Sequence, residues 1–97
     1  MIRLTIPSID AEDLEAVQKA VSSGFLVQGQ RVAAFEQTVA DYVGTKYAIA
    51  VSNCTAALHL ALLALDVRPG DLVVVTTYSW IATANVIELG SAQPVFV

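Results

Sequence analysis

The sequence predicts an α/β fold: two leading helices, then a β-α-β-α-β run that builds part of a mainly parallel sheet. Three observations carry this. Residues 10–44 hold apolar positions at helical spacing together with most of the chain's charge. After Gly44, three short runs rich in Val, Ile and aromatics, at 47–51, 72–75 and 94–97, alternate with helical segments at about 55–66 and 80–89. Strands separated by helices of about ten residues or more specify crossover connections and hence parallel pairing. Finally, only 14% of the 97 residues are charged and 56% are hydrophobic. That suits parallel strands, which are covered on both faces, and falls below the roughly 25% charge of an ordinary soluble domain.

Each element has a local reason. In the first helix Asp10 can cap, Glu12 and Asp13 sit in the first turn where the dipole favours negative charge, and Leu14, Val17 and Val21 share a face; Gly24 ends it. The linker Phe25-Leu26-Val27-Gln28-Gly29-Gln30 leads to a second amphipathic helix with Phe35, Val39 and Tyr42 in register, stopped near Gly44. The helix at 55–66 is apolar nearly all round, the pattern of a helix buried on several sides. Arg68-Pro69-Gly70-Asp71 is a turn, because Pro presets φ and Gly supplies positive φ. The helix at 80–89 stops at Gly90. Two segments are expected: 1–45, helices and linker, and 46–97, the first part of an α/β domain that is incomplete within these residues.

Composition excludes several function classes. Five Lys and Arg against nine Asp and Glu give a net charge of −4 with no basic cluster, so a nucleic-acid partner is not expected. Cys54 is the single cysteine and His59 the single histidine, which leaves no internal disulfide and no metal-ligand spacing. Residues 1–10 lack the apolar core of a signal peptide, and the apolar run 56–65 is too short to span a bilayer. A cytoplasmic protein with no membrane partner is the expectation.

The candidate chemistry lies at strand ends. Ser52-Asn53-Cys54-Thr55-Ala56 joins the first predicted strand to the most apolar helix, and ligands of open α/β sheets bind beyond the carboxyl ends of strands. A helix N-terminus offers free N–H groups to an anion, here those of Thr55 and Ala56, with the Ser52 and Thr55 hydroxyls as further donors. A phosphate fits; the alternative is that Ser52 or Asn53 only caps the helix. The helix dipole adds about 0.3–1 kcal/mol at an exposed site, so hydrogen bonds must supply the rest. At the end of the second predicted strand, Thr76-Thr77-Tyr78-Ser79-Trp80 brings Trp80 towards that site, where its face could meet a planar ring; packing in the core is the alternative. Gly44-Thr45-Lys46 is not a phosphate loop, because the GxxxxGK[ST] pattern is absent and no helix follows. Cys54 has no base partner and reads as a small semi-buried thiol, and His59 as a structural residue.

The stretch from Gly44 through Ser52-Asn53-Cys54-Thr55-Ala56 to Leu62, the turn Arg68-Pro69-Gly70-Asp71, the run 78–85 and the run 90–97 resemble the DegT-type (DegT/DnrJ/StrS) sugar aminotransferases in sequence and order. The Ser23-Gly24 linker to Gly29 and Val32-Ala33-Ala34-Phe35-Glu36 resemble that family's opening, so the likeness covers nearly the whole chain. The resemblance implies the N-terminal part of the large domain of the aspartate-aminotransferase fold (fold type I) and pyridoxal 5'-phosphate as cofactor. It implies that Thr55 and Ala56, with Ser52 and Cys54 beside them, hold the cofactor phosphate and that Trp80 stacks on the pyridine ring. It further implies transfer of an amino group, from glutamate as donor, to a nucleotide-linked keto-sugar by a homodimer, with the Schiff-base lysine and the carboxylate facing the pyridine nitrogen beyond residue 97. No catalytic residue is then expected within 1–97, and neither Lys19 nor Lys46 takes the lysine's role. Phe25, Gln28 and Gly29 are candidates for the sugar pocket. The chain departs from the family at Thr76, where proline is common, at Cys54, where Gly or Ala is usual, and at position 80, where Phe is as frequent as Trp. Two rivals share the scaffold: a dehydratase with histidine in place of the lysine, and a non-catalytic regulatory or binding protein. A complete small interaction module is a third reading, opposed by the low charge and the open sheet.

Overall fold

A computed structural model describes residues 5–97. The first four residues of the 1–10 stretch considered above as a signal peptide lie outside the described residues. Two compact units are present, one ending at Ala48 and the other spanning Ile49–Val97.

The first unit contains α1 (Ala11–Ser22) and α2 (Gln30–Val43). Asp10 caps α1 as predicted: its Oδ1 accepts from the N–H of Glu12 at 2.9 Å and of Asp13 at 3.1 Å, while the Asp13 Oδ2 accepts from the Asp10 N–H at 3.1 Å. This reciprocal box satisfies three N-terminal donors with two carboxylates. Gly24, at φ +67°, follows the helix and turns the chain out of it. The α2 helix ends at Gly44, at φ +76°, where the N–H groups of Gly44 and Thr45 both reach the Ala40 carbonyl. Ala40 is buried, whereas Leu14, Val17, Val21, Phe35 and Tyr42 of the predicted apolar stripes stay exposed.

The second unit contains α3 (Cys54–Ala64), β1 (Leu72–Val75), α4 (Ala82–Leu89) and β2 (Gln93–Phe96). The strands pair in parallel, with Leu72 opposite Gln93 and Val75 opposite Phe96. The ladder continues past both strands through Val97 N–H to Val75 O at 3.0 Å and Thr77 N–H to Val97 O at 3.1 Å. Val75, Ile87 and Ala92 form the core, with Leu62, Val67 and Val73 packed against it. One residue from each of β1, α4 and the loop into β2 therefore closes the crossover from inside. Burying a Val or Ile side chain contributes about 1.5–3 kcal/mol.

Three expectations are corrected. The run 47–51 lies outside the sheet, which among the described residues has two strands; high β propensity suits a pleated, half-buried surface but does not supply a ladder partner. The α3 helix has no fully buried residue, and Leu60 and Leu63 are about half exposed, because among the described elements α4 alone packs against it. Trp80 lies before α4, not inside it, since the first turn of that helix starts from the Trp80 and Ile81 carbonyls.

Both helices of this unit end in a non-glycine left-handed residue, Asp66 at φ +56° and Ser91 at φ +58°. Ser91 donates its N–H to Glu88 O and Ala92 donates to Ile87 O, which satisfies the last carbonyls of α4. Gly90, the predicted stop, sits one position early at φ −83°. Since a β-carbon costs roughly 1–2 kcal/mol in the left-handed region, Ser91→Gly should raise the unfolding free energy by about 1 kcal/mol. Urea titration checks this, and an unchanged or lower midpoint would show that Ser91 carries no strain.

Candidate functional site

The α3 helix and β1 are consecutive, joined by the 65–71 reversal, and together line an apolar cavity of about 150 Å³ through Leu58, Leu62, Val73 and Val75. The reversal is tight: Asp71 donates its N–H to Arg68 O at 3.0 Å and its Oδ2 accepts from the Arg68 N–H at 2.8 Å, around Gly70 at φ +89°. The α3 helix packs against α4, and its Leu62 reaches the cluster that holds Val75.

At the N-terminus of α3, Asn53 is the cap. Its Oδ1 accepts from the Ala56 N–H at 2.9 Å, and its Nδ2 donates to Ser52 Oγ at 3.3 Å. Of the two amides assigned to a phosphate, Ala56 is thus engaged by the cap, while those of Thr55 and its neighbour Cys54 meet no acceptor among the described residues. The first turn of α3 holds no acidic side chain. The α1 N-terminus differs, because its own carboxylates fill it. A neutral cap, two free amides, the exposed hydroxyls of Ser52 and Thr55 and the positive dipole end make a donor set fitted to a phosphate. Cys54 is exposed, not semi-buried, and opens the helix.

Beyond β1 the chain forms a hydroxyl-rich loop. Thr76 Oγ1 accepts from the Tyr78 N–H at 3.1 Å, so Thr76 makes the turn through its side chain. Trp80 is 81% exposed and takes no part in the hydrophobic cluster; Tyr78 is fully solvated at 97%. A large aromatic face is therefore available at the strand end.

The first unit carries a pocket of its own, of about 470 Å³, lined by Ser23, Phe25, Val27, Gly29, Gln30 and Arg31. Gly29 is needed here for space: a Cβ on it would collide with the Phe25 ring. Of the residues considered for a sugar pocket, Phe25 and Gly29 line this cavity and Gln28 does not; Arg31, not singled out in the sequence, lines it too. Among the described residues no cluster of His, Cys, Asp and Glu could hold a metal, and no helix is long and apolar enough to cross a membrane.

Residues 7–97 match the DegT/DnrJ/EryC1/StrS aminotransferase family, and the chain belongs to that family. It is 38% identical over 91 residues to the UDP-4-amino-4-deoxy-L-arabinose–oxoglutarate aminotransferase of Shewanella sediminis, across 94% of this chain and 24% of that protein. The structure of an aminotransferase from Psychrobacter cryohalolentis superposes with a TM-score of 0.86 at 38% identity, over 93% of this chain and 23% of that one. The E. coli GDP-4-keto-6-deoxy-D-mannose-3-dehydratase with bound hydrated pyridoxal phosphate (PLP) superposes at 0.87 with 27% identity, over 97% and 26%. The chain thus spans about a quarter of the length of the proteins it matches. Pyridoxal phosphate is the cofactor of this group, and the donor set at α3 fits its phosphate.

Replacing the cap tests the local reading without any ligand. Asn53→Ala should lower the unfolding free energy by about 1 kcal/mol and Asn53→Ser should retain most of it. Equal urea midpoints for Asn53→Ala and the parent would mean that the cap bond contributes nothing.

Proposed function

We propose that these residues supply phosphate-binding and ring-stacking groups to a pyridoxal-phosphate aminotransferase that moves an amino group from glutamate to a nucleotide-linked keto-sugar. On this reading 46–97 is the first part of the cofactor-binding large domain, and 1–45 is the leading helical segment. The whole protein is a cytoplasmic homodimer, and its Schiff-base lysine comes from outside residues 1–97. The observation that carries the reading is the donor set at the α3 N-terminus, with an exposed Trp80 following β1, in a chain of this family.

Bound there, pyridoxal phosphate supplies an electron sink for chemistry at the amino-bearing carbon. The residues of this chain would orient it. The Cys54 and Thr55 amides, with the Thr55 and Ser52 hydroxyls, would hold the phosphate by hydrogen bonds, and the Ala56 amide would be a further donor. Trp80 would stack on the pyridine ring. In the first unit, Arg31 is a cation on the wall of a pocket that also offers the Phe25 ring and the Gln30 amide, a combination suited to a sugar-linked diphosphate. The likeness to the dehydratase supports a second reading, removal of a hydroxyl from a keto-sugar on the same cofactor site.

Trp80 provides the test, made in the whole protein. Because its side chain is exposed, Trp80→Ala should change stability by less than about 0.5 kcal/mol and weaken cofactor binding by about 1–3 kcal/mol, while Trp80→Phe retains most affinity. A large loss of thermal stability with normal cofactor affinity would return Trp80 to a structural role. Separately, Arg31→Ala should raise KM for the nucleotide-linked sugar roughly tenfold with KM for glutamate unchanged; equal effects on both would make the linker purely structural.

A further inference from the structure

Trp80 has a large flat side chain in solvent at the end of a strand, and nothing in the hydrophobic cluster packs against it. An aromatic that packing does not hold is placed by its backbone. One hydrogen bond reaches that backbone, and two more reach the backbone of the next residue. The Thr83 N–H donates to the Trp80 carbonyl at 3.0 Å, and the N–H groups of Ala84 and Asn85 donate to the Ile81 carbonyl at 3.1 and 3.0 Å. The tight first turn of α4 thus starts on Trp80 itself.

This turn lacks the usual closure. The cap position is Ile81, which has no side-chain acceptor to offer, and no side-chain cap bond is made. The Ser79 and Thr83 hydroxyls share a hydrogen bond of 2.8 Å that spans Trp80. Thr83 is half-buried and lines the cavity beside Val86 and Ile87, so it is anchored to the core; Ser79 lies on the exposed loop. On the other side of Trp80 the loop is pinned where Thr77 N–H meets Val97 O.

We propose that the Ser79–Thr83 hydroxyl pair is a positioning device for Trp80, tying the loop to the core of α4 so that the ring plane is set before the cofactor arrives. Neither hydroxyl touches the cofactor; both act through Trp80. This rests on the stacking role of Trp80 given above. Preorganisation of this kind removes an ordering cost from binding.

The test uses the whole protein, as apoprotein titrated with pyridoxal phosphate and as holoprotein. The readouts are the cofactor dissociation constant and the visible circular dichroism of the bound cofactor, which reports how the ring is held. Ser79→Ala and Thr83→Val should each weaken binding about three- to tenfold, the range of one lost hydrogen bond, and reduce the dichroism. Thr83→Ser should restore both. The double variant should be no worse than either single one, because the pair shares one bond, and Thr83→Val should add nothing in a Trp80→Ala background. Should Thr83→Val fail to fold, Ser79→Ala on the exposed loop carries the same comparison. Unchanged affinity and dichroism in Ser79→Ala, with Trp80→Ala still impaired, would overturn the positioning role and leave the stacking role standing. An unimpaired Trp80→Ala would overturn both.

Discussion

Parallel strands cannot be joined by a tight turn, so β1 and β2 can pair only if the seventeen or so residues between them cross over and return to the starting end of the sheet. The rest of the second unit depends on that crossover. Val75 on β1, Ile87 on α4 and Ala92 on the loop into β2 meet in one cluster, so the strand register and the docking of α4 stabilise each other. The Gly70 N–H reaches Ser91 O at 2.9 Å and the Gln93 N–H reaches Asp71 O at 2.8 Å, which ties the entry of β1 to the exit of α4. With the crossover in place, the residues after Val75 must emerge at the carboxyl end of the parallel pair.

The helix termini carry the functional contrast. The N-terminus of α1 is filled by two of its own carboxylates and repels an anion. The N-terminus of α3 is closed by a neutral amide that engages one donor and leaves two. The difference is one of charge at the first turn and not of helix strength. Anion binding at such an end follows from unsatisfied amides and the dipole together, and a cap that is uncharged can be exchanged for a phosphate oxygen without removing a buried charge.

The loop 76–83 is held by short-range side-chain bonds. The Thr76 hydroxyl accepts from the Tyr78 N–H. The Ser79 and Thr83 hydroxyls likewise bond to each other, one on each side of Trp80 in sequence. A run of Thr and Ser that reads as generic loop composition is, in the folded chain, a set of short-range bonds around one aromatic.

Local chemistry was sufficient for much of this. Asp10 with Asp13, Gly24, Gly44 and the 68–71 turn act through neighbours a few residues away, so their effects are legible in order along the chain, and the alternation of apolar runs with helices implied the parallel pair. The family was legible from motif order, and the match over residues 7–97 agrees. What only the tertiary structure decided depends on distant partners. Residues 47–51 have the composition of a strand but not a place in the two-stranded sheet, because a ladder needs a second chain segment. The α3 helix reads as buried all round yet is covered on one side, because periodicity records what a helix can bury and not what packs against it. Asn53 rather than Ser52 takes the cap, and Arg31 rather than Gln28 lines the first unit's pocket, since both outcomes turn on the direction of a side chain, which spacing alone does not set.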